Sequence, residues 1–539
     1  MRPFWALKRL NYLQFFYLEA LVARADSTNM FRLATFLAIL LCALLLPFRD
    51  GCCTGINITN VALGALSGGS TTITFDITWT NSWRSTAPGA PAPNNWDAAW
   101  VFVKFQKNGG DWAHASLNDS GHATGSGTAA TIAVGYPDTG SAFNIATNPG
   151  VGVFIHRSGD GTGTFSLTGA SLSWNYAQDG VTSGDTVVLR LFGIEMVHIP
   201  DGAFFAGDNR TTSSSYKQGS NDNDPWYIGS ESAITVTNGA GSGTGVAETA
   251  AEYFDSVGYT IPAAFPKGYG RFYMMKGEIS QGQWVGFFNT LTSTQKTTRD
   301  ITASTNGGKN TDDLSFRNNV SWLGSGDATL PDRGGGKTYQ GVAMNYLSWG
   351  DLTAYLDWSG LRPMSELEFE RSARGPYRVG LQYAWGDSTI TQATSIVDEG
   401  LPTERAQSGA NLAYGNHASV QGPLRVGSFA YGVSTRTAAG AGYYGAMELT
   451  GNVTERTVTT GNTWGRVFEG RNHGNGALTS SGDSNVTSWP STTAFGAGAR
   501  GGDWFNNNGF IPIGQRNRAL DTQAGRTNFY GGRGVRTAP

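Results

Sequence analysis

The sequence predicts an N-terminal all-β sandwich followed by an α+β, loop-rich domain. Residues 72–79, Thr-Ile-Thr-Phe-Asp-Ile-Thr-Trp, alternate polar and apolar side chains at period two, the pattern of a half-buried strand. Past Pro200 the apolar spacing becomes helical, with capping residues at each start. Glycine at 75 residues and aromatics at 12%, against 15% charged residues, describe long irregular loops pinned by aromatic cores. A chain of 539 residues is expected to build more than one core.

Taken in order, residues 1–29 read as an upstream extension, because Met30 and Arg32 introduce a separate apolar run, Leu33 to Phe48. That run is too short for a comfortable transmembrane helix and is followed by small residues from Gly51 to Gly55. Residues 30–53 are therefore expected to be a secretory signal peptide, the mature chain to lack a transmembrane segment, and the protein to be secreted or displayed at the cell surface. Cys52 and Cys53 keep a lipoprotein signal as the alternative, which Arg49 and Asp50 disfavour. The only other cysteine is Cys42, and none occurs from Thr54 to Pro539. Cleavage after Cys53 would remove thiolate nucleophiles, cysteine-zinc sites and iron–sulfur clusters together.

Residues 56–194 are expected to form the sandwich, with further strands at Ala99 to Phe105, Gly152 to His156, Thr164 to Trp174 and Thr186 to Phe192. A sheet with one apolar face must bury it against a second layer. His114, His122 and His156 lack the spacing of metal ligands, so this module is read as adhesive or as a spacer. In residues 195–539, Ser280 opens a helix. Gln283 completes its capping box, Ile279 staples onto Trp284, and Trp284, Phe287, Phe288 and Leu291 share one face. A second helix runs from Ser348 to a stop near Gly360, and a third from Ser365, with Glu368 as box partner, to Arg374. Both are expected to be amphipathic core helices. A Gly/Ser/Asn-rich insertion lies near 207–260, and from Tyr377 the chain is rich in Gly and Asn. The net charge of −3, without a long basic run, excludes the electrostatic footprint of a nucleic-acid binder.

Seven blocks after residue 195 then follow one another: Met196-Val197-His198-Ile199-Pro200-Asp201-Gly202-Ala203-Phe204; Lys276-Gly277-Glu278-Ile279-Ser280-Gln281-Gly282-Gln283-Trp284; Ala343-Met344-Asn345-Tyr346-Leu347-Ser348-Trp349; Leu361-Arg362-Pro363-Met364-Ser365-Glu366-Leu367-Glu368-Phe369-Glu370; Gly445-Ala446-Met447-Glu448-Leu449-Thr450-Gly451-Asn452-Val453-Thr454-Glu455; Arg500-Gly501-Gly502-Asp503-Trp504; and Gly532-Arg533-Gly534-Val535-Arg536. Their order resembles the formylglycine-generating-enzyme (sulfatase-modifying factor) family. The resemblance implies a fold like an elaborated C-type lectin.

What the resemblance implies for chemistry is mixed. The family's oxidase converts a sulfatase cysteine to formylglycine using copper on two cysteines after its Arg-Gly-Gly-Ser block, and Asn506 and Ile511 stand near those positions here. Neither is a soft Cu(I) ligand, so no copper is expected. A related branch places iron on three histidines of an added helical bundle, whereas His198, His417 and His473 are scattered, so no iron is expected. A calcium site is implied at Glu448 and Glu455 with the Gly451 and Val453 carbonyls, oxygen donors that suit the ion, and a weaker one at Asn411 and the Leu412 carbonyl. Thr454 replaces the family's Trp before Glu455.

Some lectin-fold relatives carry hypervariable residues after a comparable Arg-Gly-Gly start. That makes Asp503, Trp504, Asn506, Asn507, Asn508, Arg516 and Arg518 candidates for displaying a surface to an extracellular glycan or protein. The alternatives are a modifying enzyme of formylglycine-generating or other oxygen-dependent type, using Asp503, Asn506 and Arg518, or a structural surface protein. Arg516, Arg518, Arg526, Arg533 and Arg536 are expected to pair with carboxylates. Asn57, Asn118, Asn209, Asn319, Asn452 and Asn485 each open an Asn-x-Ser/Thr sequon.

Overall fold

The computed structural model describes residues 55–87, 92–208, 215–218, 224–236, 259–377, 383–432 and 435–539. The expected upstream extension, the signal peptide, all three cysteines, Asn209 and much of the 207–260 insertion lie outside these residues. Among the described residues no helix is long and apolar enough to cross a membrane.

The strands are β1 (Asn57–Leu63), β2 (Thr71–Ser85), β3 (Asn95–Lys107), β4 (Trp112–His114), β5 (Ser126–Gly127), β6 (Ala130–Gly135), β7 (Gly152–Arg157), β8 (Gly161–Trp174), β9 (Val187–Ile199) and β10 (Phe204–Ala206). They continue with β11 (Trp226–Ile228), β12 (Ile234–Val236), β13 (Tyr259–Ile261), β14 (Phe272–Met275), β15 (Ile396–Val397), β16 (Arg405–Ala406), β17 (Thr454–Val458), β18 (Ala497–Arg500), β19 (Tyr530–Gly531) and β20 (Val535–Thr537). Eleven belong to one antiparallel network whose main path is β20-β14-β9-β3-β2-β8-β5. Within it the ladder between β2 and β3 is confined to Arg84–Trp96 and Ser85–Asn95.

The alternation predicted for β2 is realised. Ile73, Phe75, Ile77 and Trp79 face a cluster shared with Val101, Val103 and Phe105 of β3, Val153 and Ile155 of β7, and Phe165 and Leu167 of β8. The opposite face of β3, through Ala98, Trp100 and Phe102, enters a second core built on the helices. Burial on both faces is why β3 reads as a nearly continuous apolar run.

Strand β9 ties the two parts of the chain together. It pairs with β3 from Asp97–Val197 to Lys107–Val187, and its far end pairs with β14, which in turn pairs with β20. The strand expected to end at Phe192 therefore runs on into the Met196 block, and the expected boundary at 194/195 falls inside it. Both halves contribute side chains to one core, so they share a sheet and not only a linker.

The helices are α1 (Gln281–Phe288), α2 (Ser293–Arg299), α3 (Trp349–Trp358), α4 (Glu366–Arg374) and α5 (Thr463–Arg466). The capping boxes at Ser280 and Ser365 form as expected, with Gln283 and Glu368 as partners, and the Ser348 cap closes a further box with Asp351. Helix α2 was not anticipated, although Thr292 and Gln295 close a box of the same kind. Both α3 and α4 are core helices as expected, with all of their residues buried. Helix α4 carries Glu366, Glu368, Glu370, Arg371 and Arg374 inside the protein, so its polar side faces other polar groups and not water.

Candidate functional site

Two segments carry the residues singled out from sequence: the turn after β18 and the turn before β17. Arg500 closes β18 with its guanidinium fully buried, donating to Glu366 at 2.9 Å and also to Glu370. Glu366 accepts in addition from Arg516 Nε at 2.8 Å, from Thr459 Oγ1 at 2.9 Å and from the Thr460 N–H at 2.8 Å. Burial alone would raise the Glu366 carboxyl, yet Arg516 and Arg500 outweigh it and hold the group well below the usual carboxylate range. Arg374 extends the network to Glu370 at 2.9 Å and Asp208 at 2.6 Å.

Gly501 and Gly502 then turn the chain with φ of 85° and 68°. A Cβ on Gly502 would lie 2.5 Å from Ile511 Cγ2, so this glycine is required by both its backbone and its neighbour. Asp503 follows, fully buried, and organises the turn. Its carboxylate accepts from the Phe505 N–H (2.9 Å), the Asn506 N–H (2.8 Å), Asn506 Nδ2 (2.9 Å), Thr454 Oγ1 (2.6 Å) and Arg518 Nη1 (3.3 Å). Trp504 is also buried, donating from Nε1 to the Asn528 carbonyl at 2.9 Å.

The display candidates separate accordingly. Asp503, Trp504 and Arg516 are buried and hold the loop, which removes them as contact residues; Asn506 and Arg518 are half-buried; Asn507 and Asn508 are exposed. Sequence reasoning missed the aromatic side chains that surround them. Phe505 is 42% exposed and Phe316 43% exposed, both flanking Trp504 with ring centroids 5.5 Å from it. Phe529 stacks on Phe505 at 6.1 Å, and the Arg518 guanidinium lies between Phe510 (4.6 Å) and Phe529 (5.3 Å). Phe505 itself could have been found, as an aromatic inside an Asn-rich turn; Phe316 lies too far off in sequence.

At the two positions where the resemblance places copper thiols, the Asn506 amide is held by Asp503 and the Ile511 side chain is 0% exposed in an apolar cluster with Phe369 and Leu449. The neighbouring depression, lined by Thr454, Gly502, Phe510, Gln515, Asn517 and Arg518, measures about 10 Å³. That is room for about one water.

The second turn is strained, with Glu448, Gly451 and Asn452 at φ of 52°, 80° and 64°. Glu455 is bound by both Nε (2.8 Å) and Nη2 (2.6 Å) of Arg533. Glu448 Oε1 accepts from the Gly427 N–H at 2.9 Å, while its buried Oε2 has no partner. Glu278, unremarked from sequence, completes a trio of buried carboxylates and accepts from Asn452 Nδ2 at 2.9 Å and the Val453 N–H at 3.3 Å. Burial pushes Glu448 up to about 7, against the opposing pull of Arg533; burial and then the charge of Glu448 push Glu278 well up.

The calcium donor set thus fits in part. Glu448 offers an orphaned buried carboxylate oxygen, of the kind a hard cation would satisfy, whereas Glu455 is committed to Arg533. At the weaker position the donors are already used: Asn411 Oδ1 accepts from the Thr391 N–H and the Leu412 carbonyl from the Ala393 N–H, both at 2.8 Å.

Of the C-terminal arginines, Arg516, Arg518, Arg526 and Arg533 pair with carboxylates as expected. Arg536 instead donates to the Gly360 and Tyr136 carbonyls and lies 4.4 Å from the Trp100 ring centroid. Of the sequons, Asn319 and Asn452 are fully buried and hydrogen-bonded, which keeps them from a glycosylating enzyme in the folded protein.

The buried Arg-Glu lattice, the Gly-Gly-Asp turn and the Glu-Gly-Asn turn all lie within residues 194–538. Residues 194–538 match the sulfatase-modifying factor enzyme 1-like domain, and the chain belongs to that family. A formylglycine-generating enzyme of Streptomyces coelicolor is 50% identical over 42 residues, a stretch covering 8% of this chain and 13% of that enzyme. The solved structure of Treponema denticola variable protein 1 aligns over 64% of this chain and 96% of its own, with 13% identity and a TM-score of 0.31.

Proposed function

We propose that this protein is a ligand-binding member of the family that does not run the copper-thiol oxidation. On this reading a C-type-lectin-like domain, joined to an N-terminal β-sandwich spacer, presents the face around Phe505, Asn507, Asn508, Arg518 and Phe529 outside the cell. The observation that carries it is the state of the two thiol positions: Asn506 is tied to Asp503 and Ile511 is buried, beside a depression of about 10 Å³ that admits no side chain of a substrate. Exposed rings with an arginine held between two aromatics are the composition of a protein-binding hot spot, so the ligand is read as a protein. Calcium at the Glu448 turn, held by its free carboxylate oxygen with the Gly451 and Val453 carbonyls, would supply a structural positive charge there. Copper and iron have no place in the proposal.

Two measurements test it. Purified residues 54–539, incubated with a sulfatase-type cysteine peptide, copper, oxygen and reductant, are expected to leave the peptide mass unchanged; conversion to formylglycine would overturn the reading. Among closely related copies, substitutions are expected to concentrate at Phe505, Asn507 and Asn508 while Asp503, Trp504 and Arg516 stay fixed, because only the first group can change without disturbing buried hydrogen bonds. Uniform retention of all six would argue for chemistry and not display.

A further inference from the structure

A large cleft lies away from the turn after β18, between the N-terminal strands and β20. Its volume is about 1100 Å³. That is slightly above the range of about 300–1,000 Å³ of small-molecule sites. Its walls include Asp119, His122, Tyr136, Ser141 and Phe143, with Ile132 and Val134 of β6 also lining it. We propose that this cleft is a binding site for a neutral saccharide.

The walls are prebuilt. The loop bearing Ser141 and Phe143 is cross-tied by buried Asn148, whose Nδ2 donates to the carbonyls of Asp138 (3.0 Å), Ser141 (3.2 Å) and Ala142 (3.2 Å), while its Oδ1 accepts from the Asp138 N–H at 3.0 Å. The same loop is anchored to the C-terminal part of the chain, with the Thr139 N–H on the Arg471 carbonyl at 3.1 Å and the His473 N–H on the Pro137 carbonyl at 2.7 Å. Across the cleft, the Tyr136 hydroxyl donates to Asp119 Oδ1. His122 accepts the Ser173 N–H on Nδ1 at 3.1 Å, so Nε2 carries the proton and donates to the Asn118 carbonyl at 2.9 Å. The imidazole is therefore fixed as a neutral wall. A loop held in place without ligand loses little freedom on binding.

The chemistry selects the ligand class. Phe143 and Tyr136 are both half-buried, with ring centroids 5.9 Å apart and planes at 54°, giving an apolar platform for the C–H face of a pyranose. Asp119 keeps one carboxylate oxygen beyond its bond to Tyr136, and the exposed Ser141 hydroxyl, its hydrogen donated to Asp138 Oδ2 at 2.6 Å, keeps a lone pair, so acceptors stand beside the rings for sugar hydroxyls. The one arginine in the lining, Arg536, is fully buried with its guanidinium on the Gly360 and Tyr136 carbonyls, so it offers no charge to an acidic group. An uncharged polyol matches these walls better than a phosphate or a carboxylate does.

The test uses the full chain on an array of neutral, sialylated and sulfated oligosaccharides, followed by calorimetric titration with the strongest neutral binder. Binding of neutral glycans is expected, weakened at least about tenfold in both Phe143→Ala and Asp119→Asn. Asp119→Asn keeps the test decisive where Phe143→Ala fails to fold, since an exposed carboxylate can change to an amide with little effect on the core. Retention of acidic glycans alone, or of none, overturns the proposal. So does neutral-glycan binding that survives both substitutions; its loss in Phe505→Ala would place the sugar on the other face. The inference stands apart from the reading of the Phe505 face, and either can fail alone.

Discussion

Glu366→Gln is expected to destabilise the protein by about 3–5 kcal/mol near neutral pH, read as a lower urea midpoint with the slope unchanged. The shape of the side chain is retained, but Arg500 and Arg516 lose their shared counter-charge, and both guanidiniums are fully buried. Arg500 keeps Glu370 and Arg516 keeps the face of Tyr216 at 4.1 Å, but both lose the carboxylate they share. The pH dependence has a defined sign. The folded-state pKa of Glu366 lies below its ordinary value of 4.5, so the ion pair contributes fully above about pH 4.5 and is lost as pH falls toward the depressed value. The gap between wild type and variant should therefore narrow only in acid. An unchanged midpoint would mean that the lattice is not what holds α4 inside the domain.

Glu448→Gln is expected to act in the opposite direction. The folded protein holds a proton on Glu448 up to about pH 7, whereas an unfolded carboxyl releases it near 4.5. Stability contributed at this site is thus present below pH 4.5, falls as pH rises through that window and levels off above it, a loss on the order of 3 kcal/mol without a bound cation. In chelator at a pH of about 8 the neutral glutamine should be the more stable protein, and at a pH of about 5 the difference should shrink. Millimolar calcium should restore stability to the wild type and do little for the variant. Equal calcium responses would place the ion elsewhere; identical pH profiles would mean that Glu448 does not carry a buried proton. Melting curves of both proteins, with and without calcium, settle each point.

Local rules were legible in the chain. The capping boxes at Ser280 and Ser365 and the cap at Ser348 depend on near neighbours and could be read directly, as could the period-two pattern of β2. Helix α2 carried the same box at Thr292 and was overlooked because it has no apolar face. The block order from Met196 to Arg536 was enough to give the family, and the lack of cysteine from Thr54 to Pro539 was enough to argue against thiol chemistry.

Which polar residues are buried, and against which partners, was not legible. Asp503, Trp504 and Arg516 sit in a Gly- and Asn-rich stretch that reads as surface, yet Arg516 meets Glu366 150 positions away and Asp503 meets Thr454 49 positions away. Likewise the fusion of the two halves rests on β9 pairing with β3 and β14, partners that local sequence cannot announce. The sequence by itself determined where the three longer helices start, the period of β2, which family the chain resembles and that no cysteine follows Cys53. Only the tertiary structure decided which charges are buried, which aromatics face solvent and where a cleft opens, because burial and pairing depend on contacts between segments far apart in the chain, whereas caps and periodicity depend on neighbours.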